Sequence, residues 1–362
     1  MKKKIALLIS DVPEKSPFIQ YYIDICNTLN IEYDLIIWNR ERTKLKSEIN
    51  FILFNSVKVN PSTHKIIKYI EYIKYSYFIK RHLNKYNYSM VIVFSIQLAI
   101  FISDILQKKY NGNFIFDIRD FTPILNYSYF RKKLYNLIRY SSLNCISSLG
   151  FKKWLPSGYD YILSHNVKPK LFMEKLNLNS NSVFLKSSEK IKILTIGMHR
   201  DNEINIKFMC ELGNDERFFL RYAGVGDATE SLKYKASTIN NVSFTGKYLK
   251  EDEGNIVDEC DLINIMLSDD MLSKHLISNR FYLSLMHKKP MIVNQSSYQA
   301  YLVNKYGVGI VVNLGENVAE KIIQYIKDLN TEDYVKNVDL ITKKIAEDIS
   351  HFEEKVRIVL GN

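Results

Sequence analysis

The chain has 362 residues, 46% hydrophobic and 25% charged, with 50 Lys+Arg against 39 Asp+Glu for a net charge of +11. That length exceeds what one core of roughly 100 to 150 residues serves, so two domains are expected, and the hydrophobic content excludes a disordered chain. Cys26, Cys145, Cys210 and Cys260 lie far apart with no CxxC pair, which argues against a disulfide framework and for a reducing, cytoplasmic setting.

The basic start Lys2, Lys3, Lys4 leads only into IALLIS, too brief for a signal-peptide core and better read as a first strand. The longest apolar stretch, 90–102, is interrupted by Ser95 and Gln97 and falls short of the roughly 20 residues a bilayer requires. Charge is unevenly placed: residues 1–170 hold 26 Lys+Arg against 12 Asp+Glu (+14), and the remainder hold 24 against 27 (−3). A basic first half suits anionic lipid headgroups or a phosphate-bearing substrate. It carries no recognised nucleic-acid module, so no nucleic-acid partner is expected.

In chain order, short apolar runs predict strands at 5–10, 33–38, 90–95, 113–118, 143–147 and 159–164. A second series falls at 191–197, 218–223, 242–245, 262–266, 290–294 and 309–312. Helix-like segments separate them, the signature of an α/β fold in which parallel strands are joined by crossover helices. The basic segment 64–88 mixes Lys with Ile and Tyr. It predicts an amphipathic helix that either faces a membrane with Lys on anionic headgroups, or packs on the sheet with a solvated Lys face. The polar Asn/Ser stretch at 168–190 reads as a linker between a domain at 1–167 and one at 191–335. Tyr334, Val338, Ile341, Ile345, Ile349 and Phe352 recur at helical steps, predicting a terminal helix over 336–362 that reaches back toward the first domain.

The most informative stretch runs from 218 to 266: strand, glycine turn, helix, a second strand ending in glycine, then helix and strand. Gly224 and Gly226 lack side chains, which lets backbone amides approach an anion at the sheet's carboxyl edge. A GVG pair alone reads more readily as a structural turn, and the dinucleotide spacing GxGxxG is absent. The ordered series AGVGD, NVSFTG and ECDLINIML resembles the nucleotide-sugar-binding domain of the group 1 bacterial glycosyltransferases. The block from His275 to Val312 resembles that family's next segment, matching at Asn279, Arg280, Phe281, Tyr282, Lys289 and Pro290.

The resemblance implies the GT-B fold, two Rossmann-like doubly wound domains facing across a cleft. It implies a donor site formed by Gly197, His199, Gly224, Gly226, Gly246, Tyr248, His275, Ser278, Asn279 and Tyr282. Arg280, and Arg200 in place of the family's arginine at Met198, would neutralise the diphosphate as its charge grows. Two departures stand out: the family's paired glutamates fall at His275 and Leu283. In the first half, FIFDIRDFTPI resembles the family's DxRDxxP strand end, giving Arg119 and Asp120 as catalytic candidates, with Asp120 either the acceptor-side base or a residue orienting Arg119. Asp11, Ser95 and Gln97 follow other strand ends, and His165 and Asn166 lie in SHNVKP, which resembles the hinge-entering motif. These five are acceptor-side candidates.

No P-loop, HExxH, GxSxG or DxD occurs, so the transfer is expected to be metal-independent and to need no cofactor. The function so implied is transfer of a hexosyl group, with retention, from a nucleotide-sugar to a lipid-diphosphate-linked or oligosaccharide acceptor in capsule or O-antigen synthesis. The enzyme is expected in the cytoplasm, at most peripheral on the inner membrane face. A nucleotide-sugar 2-epimerase on the same scaffold and an inactive binding subunit are the alternatives.

Overall fold

The computed structural model describes residues 3–42, 51–59, 63–167, 170, 172, 174 and 190–361. The expected linker at 168–190 lies almost wholly outside them. The chain divides into two units, Met1–Pro169 with Glu347–Asn362, and Lys170–Ala346.

In the first unit the chain runs through β1 (Lys4–Ile9), α1 (Ile19–Thr28), β2 (Glu32–Trp38), β3 (Phe51–Phe54) and α2 (Lys65–Lys85). It continues through β4 (Met90–Val93), α3 (Ile96–Phe101), α4 (Ser103–Lys109), β5 (Phe114–Ile118), α5 (Ser128–Tyr140), β6 (Leu143–Ile146) and β7 (Ile162–Leu163). All pairings are parallel, in the order β3-β2-β1-β4-β5-β6-β7. β4 and β5 are buried throughout, as is β1 after Lys4, because helices cover both faces of a parallel sheet. The strand absent from the sequence reading is β3. Its four residues, FILF, are only half-buried at the sheet edge, too short a run for any periodicity to register.

The second unit contains β8 (Ile191–Ile196), α6 (Asn202–Leu212), β9 (Phe218–Ala223), α7 (Thr229–Ala236), β10 (Val242–Gly246), α8 (Glu253–Asp258) and β11 (Leu262–Asn264). Then follow α9 (Asn279–Met286), β12 (Met291–Asn294), α10 (Tyr298–Tyr306), β13 (Gly309–Val312), α11 (Val318–Asp328) and α12 (Thr331–Gly361). Its sheet is again parallel, ordered β10-β9-β8-β11-β12-β13. Phe208, Met209 and Leu212 of α6 pack with Phe218, Leu220 and Tyr222 of β9 and Leu232 of α7. Each such side chain contributes about 1.5 to 3 kcal/mol by leaving water. From Glu347 onward α12 is grouped with the first unit, where Phe352 meets Tyr21 and Tyr22 edge-on, each at 5.4 Å between ring centroids.

Both sheets share one topological feature. β1 lies between β2 and β4, and β8 between β9 and β11, so the chain leaves the neighbouring strands β1/β4, and β8/β11, in opposite directions. Loops diverge at such a point and open a crevice at the carboxyl ends of the strands. No described helix is long and apolar enough to cross a membrane.

Candidate functional site

In the second unit the loops at the carboxyl ends of β8, β9, β10 and β11 meet the start of α9. Gly197 ends β8 with φ +96, and a Cβ there meets nothing within 4 Å. Gly246, ending β10 with φ +72, is equally open. Gly224 and Gly226 differ. A Cβ on Gly224 would stand 2.0 Å from the Gly197 carbonyl oxygen, and one on Gly226 would stand 2.3 Å from that of His199. Glycine is required at both because the β8 and β9 loops pack backbone to backbone.

Four amides of this turn are also committed. Gly224 N–H donates to Gly246 (2.8 Å), Gly226 to Thr229 Oγ1 (2.7 Å), Ala228 to His199 (3.1 Å) and Thr229 to Gly226 (3.1 Å). Beside these backbone groups the edge carries charged and polar side chains.

Those side chains centre on Arg280, in the first turn of α9. Its Nη1 donates to the Asn264 carbonyl at 3.2 Å. Asn264 is held in turn: its Nδ2 donates to Thr195 Oγ1 (2.9 Å) and Asn205 Oδ1 (3.2 Å), and its Oδ1 accepts the Met266 amide (3.0 Å). A buried network satisfied in this way holds one geometry. Burial pushes the Arg280 pKa down; Asp201 opposes that shift and Arg200 adds to it, although arginine stays charged in any case. Asp201 adopts the left-handed region, φ +50, and its carboxylate accepts from the amide and hydroxyl of Ser268. Exposed Arg200 lies beside it, with Nε 3.0 Å from Met198 Sδ.

His199 is buried, with Nδ1 3.2 Å from Thr229 Oγ1 and Nε2 without a hydrogen-bond partner. Burial lowers its pKa, Arg280 lowers it further, and the Ala223 carbonyl opposes both. Ser278 precedes α9 yet does not cap it; its Oγ is likewise buried without a partner, while its amide donates to Gln299 Oε1 at 2.9 Å. Unpartnered buried polar atoms are rare in folded proteins and call for an explanation. Here His199 is close enough to Arg280 to feel its charge, and Ser278 stands two residues before it.

The other donor-side candidates separate. Tyr248 is held by Glu253 Oε1 at 3.1 Å, and burial followed by that carboxylate raises its pKa. His275 is half-buried in the turn before α9, its amide donating to Leu272, and Asn279 is exposed at the helix start. Tyr282 is a correction. It is 1% exposed and meets Phe172 and Phe281 edge-on, so its ring belongs to the core, as does neighbouring Leu283.

In the first unit Asp11, Ser95, Gln97, Arg119, Asp120, His165 and Asn166 follow the carboxyl ends of β1, β4, β5 and β7. Arg119 corrects the expectation of a catalytic role. It is buried, donates to Asp117 and to the carbonyl and hydroxyl of Ser164, and stacks over Phe18 at 4.0 Å. Asp117 also accepts from Tyr22 at 2.8 Å. This is a structural ion pair joining α1, β5 and the end of β7. Asp120 is exposed. Asp11 accepts the Val12 amide and faces Arg40 at 3.8 Å, Ser95 caps α3 through the Leu98 amide, and His165 Nε2 lies 3.4 Å from Asp348.

A hollow of about 410 Å³ lies on the face of the second sheet, lined by Lys192, Phe219, Arg221, Ser243, Thr245 and Glu259 among others. Arg221 there is already bound to Thr245 and Glu259. Among the described residues no group of three or more His, Cys, Asp or Glu is placed to hold a metal ion. Residues that sequence reasoning missed include Thr229, Asp201, Ser268 and Asn264. Thr229, three residues after Gly226, carried a legible helix-start signal; Asp201 and Asn264 acquire partners only through the fold.

Two parallel-sheet units, each with a single switch point and with loops gathered at the carboxyl edge, give this chain the GT-B fold. Solved structures agree along its whole length. HepE of Anabaena in complex with UDP and glucose superposes with TM-score 0.68 at 13% identity, covering 100% of both chains. A glycosyltransferase from Rickettsia africae gives 0.64 at 15%, covering 100% of this chain and 99% of the other. WaaG, a glycosyltransferase involved in lipopolysaccharide biosynthesis, gives 0.58 at 13%, covering 99% of each. No family model matches the chain, and no curated protein matches it significantly.

Proposed function

We propose that the protein is a glycosyltransferase that binds a nucleotide-sugar at the carboxyl edge of its second sheet. One observation carries the reading: Arg280 sits at a helix start, close enough to Arg200 and His199 to feel or exert charge on them, in the same loop cluster as the buried, unpartnered His199 Nε2 and Ser278 Oγ. Two cations match the two negative phosphates of a nucleoside diphosphate, and two spare polar atoms suit a sugar's hydroxyls.

In the proposed step an acceptor hydroxyl attacks the anomeric carbon, and the bond from that carbon to the phosphate oxygen breaks. The electron pair stays on the departing diphosphate; for retention the hydroxyl attacks from the leaving group's own face and its proton passes to an oxygen of that diphosphate. Arg280 and Arg200 offset the charge growing on the leaving group, the stage at which preorganised electrostatics lower a barrier most. The finer reading, retaining transfer of a hexosyl group to a lipid-linked or oligosaccharide acceptor in surface-polysaccharide synthesis, rests on the motif resemblance and the basic first half. UDP with glucose in HepE, and the lipopolysaccharide role of WaaG, support it by analogy of fold.

A second reading follows from Leu283, a buried leucine where the resembling family has a ribose-gripping glutamate. It makes the protein a binding subunit without transfer. A thermal-shift screen against UDP-, GDP-, dTDP- and CMP-sugars, followed by product analysis with and without acceptor, tests both. Transfer supports the enzyme, a shift without turnover supports the subunit, and conversion of the donor sugar without acceptor supports the epimerase. No shift at all removes the nucleotide-sugar reading.

A further inference from the structure

α2 is apolar on two faces, which departs from the one-sided helix predicted. Tyr75, Ile79 and Leu83 are buried toward the sheet, and the Tyr75 hydroxyl reaches the carbonyls of Ile9 and Ile36 at the carboxyl ends of β1 and β2. Further along, Lys109 Nζ donates to the Leu83 carbonyl, and Tyr88 donates to Asp34 near the start of β2. The helix therefore runs antiparallel to the strands. In its first ten residues Tyr72 meets Trp38 at the end of β2, and Tyr69 meets Phe101 of α3.

On the opposite face Ile66, Ile70, Ile73 and Tyr77 recur at steps of four, three and four, with Tyr69 beside them, each between 43 and 69% exposed. That spacing puts them on one stripe. A stripe of this size on a soluble surface marks an interaction site.

The charges around it select the partner. The helix carries Lys65, Lys68, Lys74, Lys80, Arg81 and Lys85 against Glu71 alone. Glu71 is buried beneath Lys74, and Lys80 is paired with Asp104. At the helical angle of 100° per residue, Lys74 and Arg81 border one side of the stripe. Two copies of this face would bring like charges together, whereas an anionic lipid surface accepts both the apolar stripe and its basic border.

We propose that α2 docks the first unit on an anionic membrane surface, with Ile66, Ile70, Ile73 and Tyr77 entering the headgroup boundary and Lys74, Arg81 and Lys85 meeting the headgroups. The stripe lies wholly in the first unit, so lipid binding is measured apart from nucleotide binding and either reading survives failure of the other.

The test is co-sedimentation of the full chain with phosphatidylcholine vesicles, with and without about one third phosphatidylglycerol. The wild type is expected to bind only the anionic vesicles. Triple substitution Ile70→Ser, Ile73→Ser and Tyr77→Ser is expected to weaken that binding about tenfold or more, with an unchanged thermal midpoint because the three side chains are exposed. Arg81→Glu with Lys85→Glu is expected to weaken it at low salt and to have less effect at high salt. Three results overturn the proposal: no binding of the wild type to anionic vesicles, equal binding by the triple variant, or a wild-type dimer in sedimentation velocity that the triple variant abolishes.

Discussion

His199 Nδ1 lies 3.2 Å from Thr229 Oγ1, and the same hydroxyl accepts the Gly226 amide at 2.7 Å. One threonine thus joins the loop after β8 to the turn after β9. Thr229→Val keeps the shape but leaves the Gly226 amide and a buried imidazole nitrogen unsatisfied, a loss of about 1 to 3 kcal/mol. Urea denaturation is expected to show it, with Thr229→Ser retaining most of the stability.

The four glycines at this edge separate by environment. Gly224→Ala forces a methyl against the Gly197 carbonyl at a φ of +119, and overpacking with backbone strain is expected to cost about 3 kcal/mol or more. Gly246→Ala meets open space and pays only the strain, about 1 to 2 kcal/mol. Denaturant midpoints of the two variants are expected to fall in that order.

Stability depends on pH through His199. Burial and then Arg280 lower its folded pKa below the unfolded value of 6.5. A histidine with a depressed folded pKa binds fewer protons folded than unfolded, so its stabilising contribution is complete above 6.5 and declines as pH falls through the interval down to the folded pKa. The thermal midpoint is expected to drop between about pH 7.5 and pH 5.5. His199→Gln is expected to flatten that slope in part, the remainder including His82, which burial shifts the same way.

Arg280 and Arg200 are expected to differ in weight. Arg280 is anchored through Asn264 and half-buried, whereas Arg200 is exposed. Removing a preorganised charge from a partly desolvated site costs roughly 100-fold in turnover, so Arg280→Ala is expected to lower kcat/KM by about that factor. Arg200→Ala is expected to cost about tenfold, because solvent screens it. Steady-state kinetics at varied donor concentration measure both, and unchanged values reject the assigned roles.

The strand series was legible because buried parallel strands read as continuous apolar runs, from Ile5–Ile9 to Met291–Val293. β3 was not, since four half-buried residues carry no period. The glycine turn was legible as a turn, but not its purpose: that Gly224 must admit the Gly197 carbonyl depends on a neighbouring loop 27 residues away. Arg119 read as a cleft residue because DxRD places it after a strand. Only the fold supplies Asp117 and Ser164 to enclose it. The second apolar face of α2 was hidden for a related reason, because a helix rich in Ile and Tyr on all sides does not announce which side meets the sheet.

The most direct measurement is isothermal titration of UDP-, GDP-, dTDP- and CMP-sugars into the full chain and into Arg280→Ala. Saturable binding of one nucleoside class, with Kd between about 1 μM and 1 mM, and at least tenfold weaker in the variant, is predicted. Absence of heat for every nucleotide at millimolar concentration, or equal affinity in Arg280→Ala, would contradict the placement of the donor site at the carboxyl edge of β8 and β11.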